Sequence, residues 1–210
     1  DRGVLKISDG ERERIAEEWV FTYTLLRLED RDVIYAGTRS GLKGLTRSQE
    51  EWTSFSIDRI DSNVRSLASG RGGNLWVSTG SGEILRISLS PDGRRAGEII
   101  RYDDQSGLPS GYKALTSIGE QTAIVSEKGF YQIQNADQPP ESWQFAREQV
   151  VPSGISGADT LKIQSVASGD NSLWVIAENQ AFLGRLTEDG SQSGDKYTWK
   201  AIEPLHFPKP

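Results

Sequence analysis

The 210-residue sequence has no cysteine, no methionine and a single histidine, His206. Without thiols there is no disulfide framework, no thiolate metal site and no cysteine nucleophile. This does not fix the compartment, because exported proteins without disulfides and cytosolic proteins share the feature. One histidine near the end of the chain leaves no material for a His-centred triad or a multi-histidine metal site, so neither a metal nor a cofactor is expected. Long apolar runs are also missing. Nothing approaches the roughly 18 consecutive apolar residues of a membrane helix, and no direct membrane insertion is expected. Nor is there an excess of positive charge: 24 Lys and Arg stand against 30 Asp and Glu, a net charge of -6. That balance opposes a polyanionic partner, so nucleic-acid binding is disfavoured. No targeting segment is recognisable, and a chain that opens at Asp1 with no methionine reads as a piece of a longer product.

What is plentiful is glycine, 22 residues in all. The densest stretch, SLASGRGGNLWVSTGSGEI from Ser66 to Ile84, places Gly70, Gly72, Gly73, Gly80 and Gly82 around Leu75-Trp76-Val77. A phosphate-cradling loop would need a helix to follow its last glycine and a lysine close behind it. Asn74 stands in that place, and the strand formers Leu75, Trp76 and Val77 follow. The next turn signal, Thr79-Gly80-Ser81-Gly82, comes at hairpin spacing. The expectation is an inner strand ending at Ser66–Ala68, a turn over Gly70–Asn74 and a second strand over Leu75–Ser78, with no helix between Gly73 and Ser81.

This stretch has a second copy. SLASGRGGNLWV from Ser66 is matched by SVASGDNSLWV from Ser165, with Trp76 and Trp174 in corresponding places. The Thr-x-x-Gly turn serves as a ruler for weaker copies: Thr38 to Gly41, Thr79 to Gly82, Ser126 to Gly129, and a fourth with Ala177 and Gln180 in the two marked places. Subtracting these positions (79 − 38, 126 − 79, 177 − 126) gives spacings of 41, 47 and 51, about the length of one four-stranded propeller blade. Upstream of each turn an inner strand is expected, with Tyr23 and Leu26 matched to Val64 and Leu67 at the same separation of 41. Downstream, EEWTSF with Trp52, EIIRY, ESWQF with Trp143 and YTWKAI with Trp199 read as outer strands. The nearest helical candidate, RERIAEEWVF from Arg12, fits equally well as an outer strand and connector.

A four-stranded sheet with two apolar faces must stack on neighbours around an axis. The fold class expected is therefore all-β, a β-propeller of four-stranded antiparallel blades forming part of a larger, seven-bladed type of ring. Its divisions are a half blade at 1–19 and blades at 20–58, 59–104, 105–150 and 151–210.

The run NLWVSTGSGEI from Asn74, followed by the Gly-Leu-Pro connector DDQSGLPSGY from Asp103 to Tyr112, resembles the two-component regulator propeller repeat. Gly72 replaces the acidic residue often found before the Gly-Asn turn in that family, and the fourth unit lacks the Thr and the Gly. The resemblance implies an extracytoplasmic, periplasmic sensor module of a bacterial signalling receptor. It implies no chemistry in this region, a possible response to oligosaccharides or another small ligand, and pairing as a homodimer through the receptor.

Function on such a ring belongs to loops at one face, here the connectors and the Thr-x-x-Gly turns. Arg39, Asn63, Arg65, Tyr112 and Lys128 lie there as candidate ligand-binding residues, against the plainer reading of solvated loops. Trp76 and Trp174 offer faces for sugar rings, but their mid-strand place points to packing between blades. Thr38 and Thr79 read as turn residues, and Asp103-Asp104 as a solvated turn rather than half of a calcium loop. A propeller-type carbohydrate-active hydrolase or lyase is the rival reading. It needs convergent acid and base groups, and no spacing brings together acids such as Glu29, Asp30 and Glu178. A protein-docking scaffold is the third.

Overall fold

The computed structural model describes residues 4–8, 11–16, 20–28, 31–48, 51–118, 121–136, 138–148, 163–169, 172–177, 180–186 and 197–202. Within them the regular structure is β-strand with three single-turn 3-10 segments. A two-stranded hairpin, β1 (Val4–Ser8) and β2 (Glu11–Ala16), comes first. Four antiparallel sheets of four strands follow, each ordered as the chain runs. Blade 1 is β3 (Val20–Leu28), β4 (Arg31–Thr38), β5 (Gly41–Ser48) and β6 (Glu51–Ile57). Blade 2 is β7 (Val64–Ser69), β8 (Leu75–Thr79), β9 (Ile84–Leu89) and β10 (Ala96–Tyr102). Blade 3 is β11 (Ala114–Ile118), β12 (Gln121–Ser126), β13 (Gly129–Ile133) and β14 (Phe145–Glu148). Blade 4 is β15 (Ile163–Gly169), β16 (Ser172–Ala177), β17 (Gln180–Leu186) and β18 (Tyr197–Ile202). The first strands of successive blades lie beside one another. This is the propeller expected from the repeats, with its innermost strands around the axis.

The glycine-rich stretch turns rather than cradles. Gly70 N–H donates to Asn74 O at 2.7 Å, closing the loop. Arg71–Gly73 forms one 3-10 turn whose Gly72 and Gly73, at φ 73° and 74°, lie in the left-handed region that a right-handed helix excludes. Leu75–Thr79 then runs as a strand with every residue buried. The strand Glu11–Ala16 covers the first five residues of the helical candidate.

Burial occurs between blades, as two-faced sheets require. One cluster joins Leu26, Val33, Tyr35, Leu42, Ile57 and Ile60 of blade 1 and its connector to Val64, Leu67, Leu75, Val77, Leu85 and Ile87 of blade 2. A second joins Trp76, Ile84, Ile100 and Tyr102 of blade 2 to Leu108, Leu115, Ile124, Tyr131 and Phe145. Trp76 stacks on Tyr102 at 5.7 Å and on Trp143 at 6.2 Å, and meets Phe145 edge-on at 6.4 Å. Polar stitches cross the same seams. The buried Tyr35 hydroxyl donates to Gly93 O at 2.7 Å, Leu115 N–H donates to Ser66 Oγ at 2.9 Å, and Ser78 Oγ donates to Lys113 O.

Three expectations are corrected. Trp174, placed in the core by its match to Trp76, is 43% exposed. Trp76 faces the aromatic side chains of blade 3, whereas Trp174 and Ile176 stand exposed on β16. Second, Tyr23 does not correspond to Val64. Val64 pairs with Thr79 and is buried, and its counterpart by register is Val20, paired with Thr38. The first hairpin of blade 1 is three residues longer (38 − 20 = 18 against 79 − 64 = 15), so the inner strands are offset by 44 (64 − 20) although the turns are 41 apart. Tyr23 pairs with Ala36 and is 75% exposed. Third, Trp143 precedes its outer strand. It caps the 3-10 turn Pro140–Ser142, its indole Nε1 donating to Gln138 O at 2.8 Å.

Candidate functional site

Antiparallel alternation brings the second-to-third strand turn of each blade and the connector to the next blade to the same end of the sheet. Backbone contacts fasten the two together. Gly80 N–H donates to Asn63 O at 2.7 Å, and a Cβ on Gly41 would run into the Ile60 carbonyl. Gly82, at φ 89°, approaches Gly111 so closely that a Cβ would lie 2.5 Å from its carbonyl oxygen. The threonines of the motif hold these turns from within. Thr38, 2% exposed, donates to Gly41 O at 3.0 Å, while the buried Thr79 Oγ1 accepts from Glu83 N–H at 3.2 Å. Asp103 caps the turn that follows it, its Oδ1 accepting from Gln105 N–H at 3.0 Å, with Gly107 closing the turn at φ 86°. Asp103 and Asp104 are thus exposed turn residues.

The five candidates all lie on this end. Arg39 and Lys128 are exposed on the turns of blades 1 and 3. Asn63 is on the first connector, beside Gly80, with a buried Oδ1 that has no hydrogen-bond partner among the described residues. Burial raises the Tyr112 pKa, and the field of the Arg65 cation partly offsets that rise. Tyr112 therefore stays a protonated donor at neutral pH, and it is 56% exposed.

Two participants were not legible in the sequence. The first is Phe21, 42% exposed, whose ring lies 4.9 Å from the Arg65 guanidinium carbon. Register explains the meeting. In β3 the pairing shifts between Val20 and Thr22, and in β7 between Val64 and Ser66, so Phe21 and Arg65 are the extra residues of two β-bulges opposite the motif threonines. β15 repeats the shift between Ile163 and Ser165, at Gln164. Bulges re-aim a side chain without breaking the strand, and a single sequence carries no clear signal for them. The second is Lys113. It is 2% exposed and donates from Nζ to Gly82 O at 2.6 Å and to Gly111 O at 3.0 Å. Desolvation lowers its pKa, with Asp103 and Asp104 pulling the other way. It bolts the turn of blade 2 to the connector that carries Tyr112.

Among the described residues, no three His, Asp or Glu side chains gather as a metal site. Glu83, the acid nearest the blade 2 turn, accepts from Ser81 Oγ at 3.1 Å and pairs with Arg101 at 3.4 Å. Glu29, Asp30, Glu178 and His206 lie outside the described residues, and none of the described helices is long and apolar enough to cross a membrane. The arrangement offers donors and aromatic side chains at the turn and connector end of the blades.

No family model matches the chain, and no curated protein matches it. Solved structures do. The extracellular domain of a B. thetaiotaomicron protein described as a hybrid two-component system superposes with a TM-score of 0.58 at 16% identity, over 93% of this chain and 24% of that one. Virginiamycin B lyase from Staphylococcus aureus gives 0.53 at 16% identity, over 87% of this chain and 56% of the lyase. The β-propeller domain of Cps50 (Swd1) from Myceliophteria thermophila gives 0.59 at 12% identity, over 94% and 64%. The chain thus spans about a quarter of the B. thetaiotaomicron domain and about half of the lyase. At these identities the likeness establishes the fold: the chain is a β-propeller.

Proposed function

We propose that this propeller is a non-catalytic ligand-binding module, the extracytoplasmic sensor portion of a bacterial signalling receptor that responds to an oligosaccharide or another small ligand. The observation that carries the reading is the Arg65 guanidinium over the Phe21 ring at the bulge end of the inner strands, with the exposed Tyr112 on the connector at the same end. Together they offer an aromatic face and two kinds of hydrogen-bond donor, with no acid and base pair beside them among the described residues. Likeness to an extracellular domain of a two-component system supports the receptor setting and the extracytoplasmic location. In such a receptor the output domain lies elsewhere, and pairing of the propeller through the receptor would transmit occupancy.

An enzyme is the second reading, favoured by the likeness to virginiamycin B lyase and to a GH43 glycoside hydrolase, the latter at a TM-score of 0.50. A histidine-to-alanine form of the lyase is catalytically inactive, and this chain has only His206 to offer such chemistry. A scaffold draws on Tyr23 and Leu25 of β3 and Trp174 and Ile176 of β16, which expose apolar area. A thermal-shift screen against oligosaccharides separates the three, because a ligand bound only by the folded state raises the midpoint. A saturable shift with the sugar recovered unchanged supports the sensor. Cleavage of the sugar favours the enzyme, and no shift with any sugar favours the scaffold.

A further inference from the structure

The ligand-binding reading leaves the chemistry of the ligand open, and the bulge position narrows it. Arg65 is exposed at the end of the innermost strand of blade 2. Among the described residues it has no carboxylate within 4.0 Å, whereas Arg59 pairs with Asp58 at 3.7 Å and Arg101 with Glu83 at 3.4 Å. An unpaired guanidinium in a chain of net charge -6 is held instead by a ring, with Phe21 at 4.9 Å from its central carbon. Arg86 and Arg94 also lie over rings, but on the third strand of blade 2 and on the turn after it, away from the inner strands. A ring beneath a guanidinium limits its rotation and leaves the N–H groups at its edge free to donate. That planar fork matches a carboxylate with two parallel hydrogen bonds.

Resting on the ligand-binding reading, we propose that this position recognises a sugar acid. A uronate carboxylate would be gripped by Arg65, with the Tyr112 hydroxyl donating to the same sugar and the Phe21 ring bordering its apolar side. A neutral sugar satisfies hydroxyl donors and acceptors in balance, whereas this cluster supplies a cation and no paired anion. A carboxylate therefore uses what the site has in surplus. The bulge supplies the orientation, since an in-register strand would leave position 65 alternating with its neighbours between the blade faces.

The test is titration calorimetry of the protein with trigalacturonic acid, with galactotriose as the neutral counterpart and acetate as the bare carboxylate. Saturable binding of the uronate is expected, with no binding of acetate and at least about 10-fold weaker binding of galactotriose. Arg65→Gln should weaken uronate binding by about 10- to 100-fold, the range of a lost charged hydrogen bond. Arg65→Lys should recover only part, because it keeps the charge and loses the fork, and circular dichroism checks that each variant folds. Tyr112→Phe is a milder variant and should cost a few-fold. Equal affinity for the two sugars, equal binding by Arg65→Gln, or no uronate binding overturns the inference. If galactotriose or another neutral sugar shifts the melting point while the uronate does not, the ligand-binding reading survives without it. If no sugar does, both fall.

Discussion

Trp76 and Trp174 hold the same place in two copies of one motif, and each pairs across its hairpin with an alanine, Ala68 and Ala167. They differ in what lies on the far side. Trp76 is 4% exposed, with Tyr102, Trp143 and Phe145 around it, whereas Trp174 is 43% exposed. Truncating a fully packed tryptophan costs about 3–5 kcal/mol, from lost transfer energy and the cavity left behind. The ring contacts place Trp76→Ala toward the upper end, since aromatic pairs add about 0.5–1.5 kcal/mol beyond their area. Trp174→Ala opens no comparable cavity and loses only the area it buries within its own sheet, about 1–2 kcal/mol. Urea unfolding of both variants, followed by far-ultraviolet circular dichroism, measures this if the slopes stay equal. Equal losses at the two positions would refute the argument that burial here is set by the neighbouring blade rather than by the motif.

Further tests address the turn and connector end and the buried phenol. Gly82→Ala forces a side chain into φ 89° and against Gly111 O. It should cost at least about 1–2 kcal/mol and lower Tm by about 2–8 °C, and an unchanged Tm would show that the turn and connector are not locked. Lys113→Met leaves the Gly82 and Gly111 carbonyls without their donor. It should cost about 1–3 kcal/mol by urea unfolding. Because the Lys113 pKa is lowered on folding, the unfolded state binds the proton more readily. Lys113 should therefore make stability rise with pH between its folded pKa and its unfolded value near 10.5, and Lys113→Met should remove that slope. Tyr102 is 1% exposed, donates to Pro140 O at 2.9 Å, and is pushed up to about 12 by burial. Its contribution is full below the unfolded value near 10 and is lost as pH rises towards 12, amounting to roughly 2–3 kcal/mol. Thermal unfolding across that window should show the loss, and Tyr102→Phe should reduce it.

The propeller was legible because its signals are local and repeated. Glycine turns, motif threonines and strand-forming triplets recur at blade spacing, and each predicts a hairpin without knowledge of its neighbours. What surrounds a blade was not legible. The sequence around Trp174 matches that around Trp76, but burial depends on the next sheet, which the motif does not encode. The offset of Tyr23 from Val64 has a similar cause: the turns keep their 41-residue spacing while the first hairpin of blade 1 is three residues longer, so counting from the turn misplaces the inner strand. At the candidate site, Arg39, Asn63, Tyr112 and Lys128 stand on the turns and connectors that loop position indicated, whereas Arg65, expected on a connector, is the bulge residue of strand β7. Phe21 was not legible, because it reaches Arg65 only through paired bulges in separate strands. Lys113 stands beside Tyr112 in sequence, yet its role as a buried bolt follows from the approach of Gly82 to Gly111.

The central claim is that ligand is held at the turn and connector end and left chemically intact. Its most direct test is hydrogen exchange of the protein with xylo-, arabino-, galacto- and galacturono-oligosaccharides, alongside chromatography of each sugar after incubation. The account predicts saturable protection by at least one sugar, confined to residues 20–22, 38–41, 59–65, 79–82, 107–113 and 126–129, with every sugar recovered unchanged. Sugar cleavage, or protection confined to the outer strands, would contradict it.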